Sequence, residues 1–228
     1  MAASKSAPLR HDPKRQAGKG QKTREHILEM ARRCMNEKGV GNVNCRCIAK
    51  AAGLTPGNIY YYFDNIEAIR AELGKQIGRD VKANLATLTG HVHTASGRRQ
   101  ATIDWLSIVW KWRYFFLDFD QIIRSDERVR ADVRASQKAT VDIQAKALED
   151  FLKSNGVKLT RRDKELCRDI AVSGWIVSLN WIQHVSLHND LSQMTREDFI
   201  GTVDRYMTVS RTLFNKDFLT KLLHSHST

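Results

Sequence analysis

From residue 14 onward the chain holds one proline, Pro56, and this scarcity constrains the fold more than any other feature. Proline locks φ and lacks the N–H that a helix interior needs, so its near absence leaves long helices free to form. Apolar residues then recur at helical spacing, as in Ile27, Ala31, Cys34 and Met35, or Ile66, Ile69, Leu73 and Ile77. No hairpin dipeptide stands between alternating apolar and polar runs, so nothing asks for a sheet. The expectation is an all-α protein. With 228 residues, 42% hydrophobic and 27% charged, the chain can bury a core without staples. Cys34, Cys45, Cys47 and Cys167 are too scattered for a disulfide framework and read as reduced thiols. No apolar stretch approaches the roughly 20 residues that cross a bilayer. The N-terminal segment also lacks the apolar core of a secretory signal, so a cytoplasmic protein with no membrane partner is expected.

Lys and Arg number 37 against 25 Asp and Glu, a formal charge of +12, which points to a polyanionic partner. Half of the excess lies in the first 24 residues, where Lys5, Arg10, Lys14, Arg15, Lys19, Lys22 and Arg24 oppose Asp12 alone. Pro8, Pro13, Gly18 and Gly20 share that segment and no apolar period runs through it, so residues 1–21 are expected to form a disordered basic arm. Such an arm is either a solubilising tail or a strand that follows phosphates or enters a minor groove.

The next segment is dense in helix punctuation. Thr23 is a candidate N-cap for a first helix that Gly39 stops. Asn44 caps a short second helix carrying Cys45, Ile48, Ala49 and Ala52, which Gly53 ends in the left-handed region. Thr55 as N-cap and Pro56 at the first helical position announce a third helix over Gly57 to Phe63. Asp64 with Glu67 reads as a capping box for a fourth helix ending near Gly90. Two helices joined by a short Gly-containing turn have the geometry of a helix-turn-helix, whose second helix enters the major groove. Residues 22–68 are therefore taken as a DNA-binding domain and 69–228 as a larger helical domain.

The runs TREHILEMARRCMNEKGV and IAKAAGLTPGNIYYYFDNIEAI, between Thr23 and Ile69, closely resemble the DNA-binding domain of the TetR family of transcriptional regulators. The resemblance implies a three-helix head in which Ile48 to Thr55 make helix two and the turn, and Pro56 to Phe63 the recognition helix. Thr55, Pro56, Gly57, Asn58, Tyr60 and Tyr61 would then face DNA. The Asn58 amide is suited to pair with an adenine edge, or else to satisfy backbone groups at its own helix start. Gly57 permits close backbone approach. Tyr60 and Tyr61 offer hydroxyls to phosphates, while Tyr62 and Phe63 suit the core. Arg46 and Lys50, with Asn44 at the cap and Thr23 on the first helix, are candidate phosphate contacts. Two positions depart from the family's pattern. Ile66 stands where a phosphate-touching Lys is usual, and Cys47 where an acidic residue is common.

Further helices are expected at about 101–122, 127–154, 162–187 and 195–213, with a short one near 215–224. Residues 105–119 carry Trp105, Trp110, Trp112, Tyr114, Phe115, Phe116 and Phe119, a stretch apolar nearly all round that must be buried nearly all round. The same aromatics suit a plain core or the wall of a pocket for a small, mainly apolar effector. Trp110, Arg113, Phe116, Asn180 and His184 are the candidate lining. Ala171, Ser173, Gly174 and Ser178 let another helix approach closely, either a symmetry mate in a four-helix homodimer interface with 195–213, or the segment 127–154. Cys45/Cys47 and His184/His188 offer too few ligands for a metal, no catalytic constellation is present, and no cofactor or enzyme activity is expected.

The resemblance implies a homodimeric repressor that leaves a pseudo-palindromic double-stranded operator when a small-molecule effector binds. The rival readings are a basic architectural DNA-binding protein without an effector and a helical enzyme with a vestigial helix-turn-helix.

Overall fold

A computed structural model describes residues 13–91, 95–154 and 156–213. Residues 1–12 of the expected arm and the helix expected near 215–224 lie outside them. Every regular element among the described residues is helical: α1 (Pro13–Lys38), α2 (Cys45–Ala52), α3 (Pro56–Tyr62), α4 (Ile66–His91), α5 (Ala95–Lys111), α6 (Arg113–Leu117), α7 (Phe119–Ser125), α8 (Glu127–Ser154), α9 (Arg161–Ser186), α10 (Arg196–Gly201) and α11 (Val203–Leu213), with a 3₁₀ turn at Val40–Asn42. The chain divides into one unit made of the residues up to Lys38 with Asn42–Leu73, and a second made of Gly39–Gly41 with the residues from Gly74 on. The division therefore falls inside α4, five residues beyond the expected boundary at 68.

In the first unit, helix begins at Pro13, so the later part of the expected arm is helical and Thr23 lies inside α1, not at its cap. Proline suits a first turn, whose N–H groups have no intrahelical partner. The unit's core includes Ile27, Leu28, Ala31, Met35, Ile48, Ile59, Phe63, Ile69 and Leu73, all at 5% exposure or less. The fourth helix is capped by Asn65, whose Oδ1 accepts the Ala68 N–H at 2.8 Å, and not by the expected Asp64. An Asn side chain placed directly before the first turn reaches that N–H, and one residue earlier is a poorer position.

In the second unit, the expected helix over 101–122 is broken at Trp112 and Asp118. At the first break the Phe115 N–H bonds to Trp112 O at 2.8 Å, a tightened turn that re-aims the aromatic run. Trp112, Tyr114, Phe115 and Phe116 are thereby all buried, which no straight helix against one neighbour permits. The Asp118 carboxylate accepts the Val40 N–H at 2.7 Å. Thr202 likewise interrupts the helix expected over 195–213. Its hydroxyl accepts the Trp181 indole N–H at 2.9 Å and donates to Phe199 O at 2.8 Å.

Helices α8 and α9 pack along two apolar clusters, Leu148, Leu152, Cys167 and Ile170 in one, Val141, Ala145 and Ala171 in the other. Ala171 and Gly174 of α9 serve this internal packing, while Ser173 is exposed. A Cβ on Gly174 would stand 3.4 Å from Gln144 of α8, and Ser178 hydrogen-bonds Tyr206 of α11. Burial also pushes the Cys167 thiol up to about 11. Cys34 and Cys45 are buried and raised too, and Cys47 alone is partly exposed. We expect one thiol of the native protein to react quickly with a disulfide reagent at pH 8. Cys47→Ser is expected to abolish that fast phase and all four thiols to react in denaturant; a fast phase that survives the substitution would contradict this assignment.

Candidate nucleic-acid interface

Each expected punctuation mark of the turn is present. Asn44 Oδ1 accepts the Cys47 N–H at 3.0 Å and starts α2. Gly53 ends it at φ 65°, and the Leu54 N–H folds back to Ala49 O at 2.9 Å. A Cβ at Gly53 would meet nothing within 4 Å, so backbone conformation alone calls for glycine there. His26 of α1 adds a contact that the sequence does not announce, since its Nε2 lies 3.1 Å from Ala52 O and holds the end of α2.

The start of α3 is a reciprocal cap. Thr55 Oγ1 accepts the Asn58 N–H at 3.3 Å, while Asn58 Oδ1 accepts the Thr55 N–H at 3.1 Å and the Thr55 hydroxyl at 2.8 Å. Two other helices begin on the same device, with Asp in the place of Asn: Thr160 with Asp163, and Thr195 with Asp198. A carboxylate is the stronger acceptor and suits the positive helix N-terminus. At α3 the chain instead carries an amide, which keeps the cap through Oδ1 and leaves the Nδ2 donor at an exposed position. The local role expected as the alternative for Asn58 is thus present, and it leaves one outward donor for a partner that accepts.

Around this donor lies an exposed polar face. Arg46 and Lys50, one turn apart on α2, are exposed and make no ion pair among the described residues. Thr55, Pro56 and Gly57 are exposed as well. Ile59 at 0% and Phe63 at 5% exposure anchor the helix, which turns Tyr60 and Tyr61 outward at 54% and 82%. Tyr61 makes an edge contact with Tyr62, ring centroids 4.9 Å apart. Thr23 lies half-buried on α1. Arg24 is committed to the fold, with Nη2 3.3 Å from Glu72 and the guanidinium 4.9 Å over the Phe63 ring.

Gly57 has no structural need of its own. Its φ is not positive, and a Cβ there would meet only Thr55 Oγ1 at an ordinary 3.8 Å. Gly57→Ala is expected to raise stability by about 0.5–1 kcal/mol through helix propensity, yet to weaken DNA binding by putting a methyl group on the approaching backbone. Thermal melting and DNA titration on one preparation check this, since the two quantities must move in opposite senses.

The five residues expected to line a pocket are not gathered in one place. Phe116 is buried at 2% exposure, against the edge of Trp105 at 5.7 Å. Trp110 stacks on Phe199 at 5.4 Å, with the Arg113 guanidinium 4.7 Å over its ring. Asn180 and His184 are exposed on α9, where Asn180 donates to Ile176 O of its own helix.

Comparison with known proteins places both units. Residues 27–73 match the bacterial regulatory proteins of the tetR family, and residues 79–221 match a family described as bacterial transcriptional repressor. The HTH-type transcriptional regulator AcrR of Shigella flexneri is 42% identical over 53 residues, 23% of this chain and 25% of that regulator's length. A TetR-family transcriptional regulator from Marinobacter aquaeolei VT8 has a TM-score of 0.65 at 21% identity, over 81% of this chain and 98% of its own. The fatty acid degradation regulator FadR of Bacillus halodurans has a TM-score of 0.51 at 16% identity, over 91% and 97%. No helix among the described residues is long and apolar enough to cross a membrane. A family match across most of the second unit, joined to a capped helix-turn-helix in the first, makes the chain a member of the TetR family of bacterial transcriptional regulators.

Proposed function

We propose that this regulator is a ligand-responsive repressor, a homodimer that sets two copies of α3 into successive major grooves of a pseudo-palindromic operator and leaves it when a mainly apolar effector binds the second unit. The observation that carries the DNA reading is the face of α2 and α3, where exposed cations, a capping amide with a spare donor and an outward tyrosine are presented together on a basic chain. Thr55, Pro56, Gly57, Asn58 and Tyr61 are assigned to the groove, and Thr23, Asn44, Arg46, Lys50 and Tyr60 to its phosphate rims. The dimer reading is supported by one stripe of α9 and its C-cap, where Ile176 and the capping Leu187 are exposed at 51% and 78% with Asn180 and His184 between them. That stripe is a better place for Asn180 and His184 than a pocket wall. The effector reading is supported by the aromatic body, and a protein of the same fold, FadR of Bacillus subtilis, is known in complex with stearoyl-CoA.

The test is titration of labelled DNA from upstream of the protein's own gene, at near-physiological salt with excess competitor. Competitor-resistant binding that a small molecule reverses is the expected result. Binding lost to competitor, with a steep salt slope and no ligand response, would favour the architectural reading. Release requires that the effector bind the two arrangements of the heads with different affinity.

A further inference from the structure

The second unit holds two buried hydrogen-bond donors with no acceptor among the described residues. Asn84, at 8% exposure, has no partner for its Nδ2, and the Trp105 indole Nε1 is buried without one. A buried N–H left unmade is costly, and one that persists in a well-packed body marks a place where an acceptor arrives from outside.

The two donors are neighbours by register. Trp112 Nε1 donates to Asp80 Oδ2 at 2.7 Å, a contact between residues 32 apart that brings the end of α5 against α4. The Trp112 N–H still bonds to Ile108 O, so the residue belongs to the α5 ladder. Asn84 lies one turn beyond Asp80 on the same face of α4, about 6 Å along, and Trp105 two turns before Trp112 on the same face of α5, about 10 Å in the same direction. Measured along the two helices from that contact, the two donors thus lie at heights within about one helical turn of each other. The Trp105 ring packs edge-on against Phe116 at 84°.

The nearest charges on this face set the chemistry. Asp80 and Lys111 pair with each other at 2.8 Å, which engages that cation, and the Asp80 carboxylate repels an anionic ligand. We propose that Asn84 and Trp105 form the polar end of an effector subsite that takes a neutral carbonyl oxygen, as in a ketone, ester, lactone or amide, carried on an apolar body. The assignment rests on the effector reading above and narrows it to one ligand class.

The probes are butyrophenone, butylbenzene and phenylbutyrate, one skeleton bearing a carbonyl, no oxygen and a carboxylate, each titrated into the full-length protein by tryptophan fluorescence and thermal shift. The ketone is expected to bind about tenfold more tightly than either control. Trp105→Phe and Asn84→Leu are each expected to erase that preference and leave butylbenzene binding unchanged. Asn84→Leu is also expected to raise the melting temperature of the unliganded protein, because it removes an orphaned donor. The proposal is overturned if the ketone binds no better than butylbenzene, as donors already served by ordered water would produce, if the preference survives both substitutions, or if Asn84→Leu lowers the unliganded melting temperature. Operator titration with the same probes separates the two readings. A ketone preference with DNA binding that never responds defeats the repressor reading alone, and an operator released by other molecules without any ketone preference defeats the subsite alone.

Discussion

Asn58→Asp is expected to leave the protein folded at its ordinary melting temperature and to weaken operator binding about a hundredfold. The structural half of this expectation has two internal precedents. Thr160 with Asp163 and Thr195 with Asp198 make the same cap that Thr55 makes with Asn58, with a carboxylate oxygen accepting both the N-cap N–H and the hydroxyl. Within these caps the Asp198 carboxyl is held below its ordinary value, first by the Thr195 backbone N–H. Asn58→Asp therefore keeps the α3 start intact and gains slightly from the helix dipole. The loss falls on DNA. The substitution removes the one outward donor of the side chain and sets a negative charge against phosphates and base-edge acceptors. Asn58→Ala serves as the contrast, since it loses the acceptor as well and should cost about 1 kcal/mol of stability in addition to affinity. Melting curves and anisotropy titrations on the two variants separate cap from contact. If Asn58→Asp binds as tightly as wild type, then Asn58 is only a cap and the groove is read by its neighbours.

The head was legible in the sequence because its information is local. Asn44, Gly53, Thr55 and Pro56 act within a few residues of themselves, and each stands where helix chemistry alone puts it. The misplaced features depend on distance. Arg24 reads as one more cation of the basic N-terminal segment until Glu72 and Phe63 are brought beside it, and no spacing rule links residues so far apart in the chain. The aromatic run from Trp105 to Phe119 reads as one helix because its apolar residues recur at helical spacing and no Gly or Pro interrupts it. The breaks at Trp112 and Asp118 are set by partners at Asp80 and Val40, so tertiary contacts override local preference. The same limit scattered the expected pocket. Trp105 and Trp110 are five residues apart, about 140° around a helix, and only packing decides that one meets Phe116 and the other Phe199. Asn84 carried no signal at all, being a single polar residue within a helical period.

The largest loss of stability is expected at the first of those breaks. Trp112 is fully buried, donates its indole N–H to Asp80, and sits in a turn whose carbonyl accepts the Phe115 N–H. Lys111 bonds to the same Asp80 oxygen at 2.8 Å and lies 5.1 Å over the Trp112 ring, so one carboxylate ties the turn to α4 through two donors. Trp112→Ala removes a large buried ring and should cost about 3–5 kcal/mol, a fall of about 10 °C in melting temperature for a chain of this size. Trp112→Phe keeps most of the ring volume and removes only the donor, which should cost about 1–2 kcal/mol. Asp80→Leu removes the acceptor and strands the indole N–H in the core, so its cost should be similar to that of Trp112→Phe. The double variant distinguishes a specific bond from general packing. If the bond is what each single change disrupts, the pair together costs much less than the two added, whereas additive losses would mean that Asp80 and Trp112 act separately and that the break is held by ring packing alone.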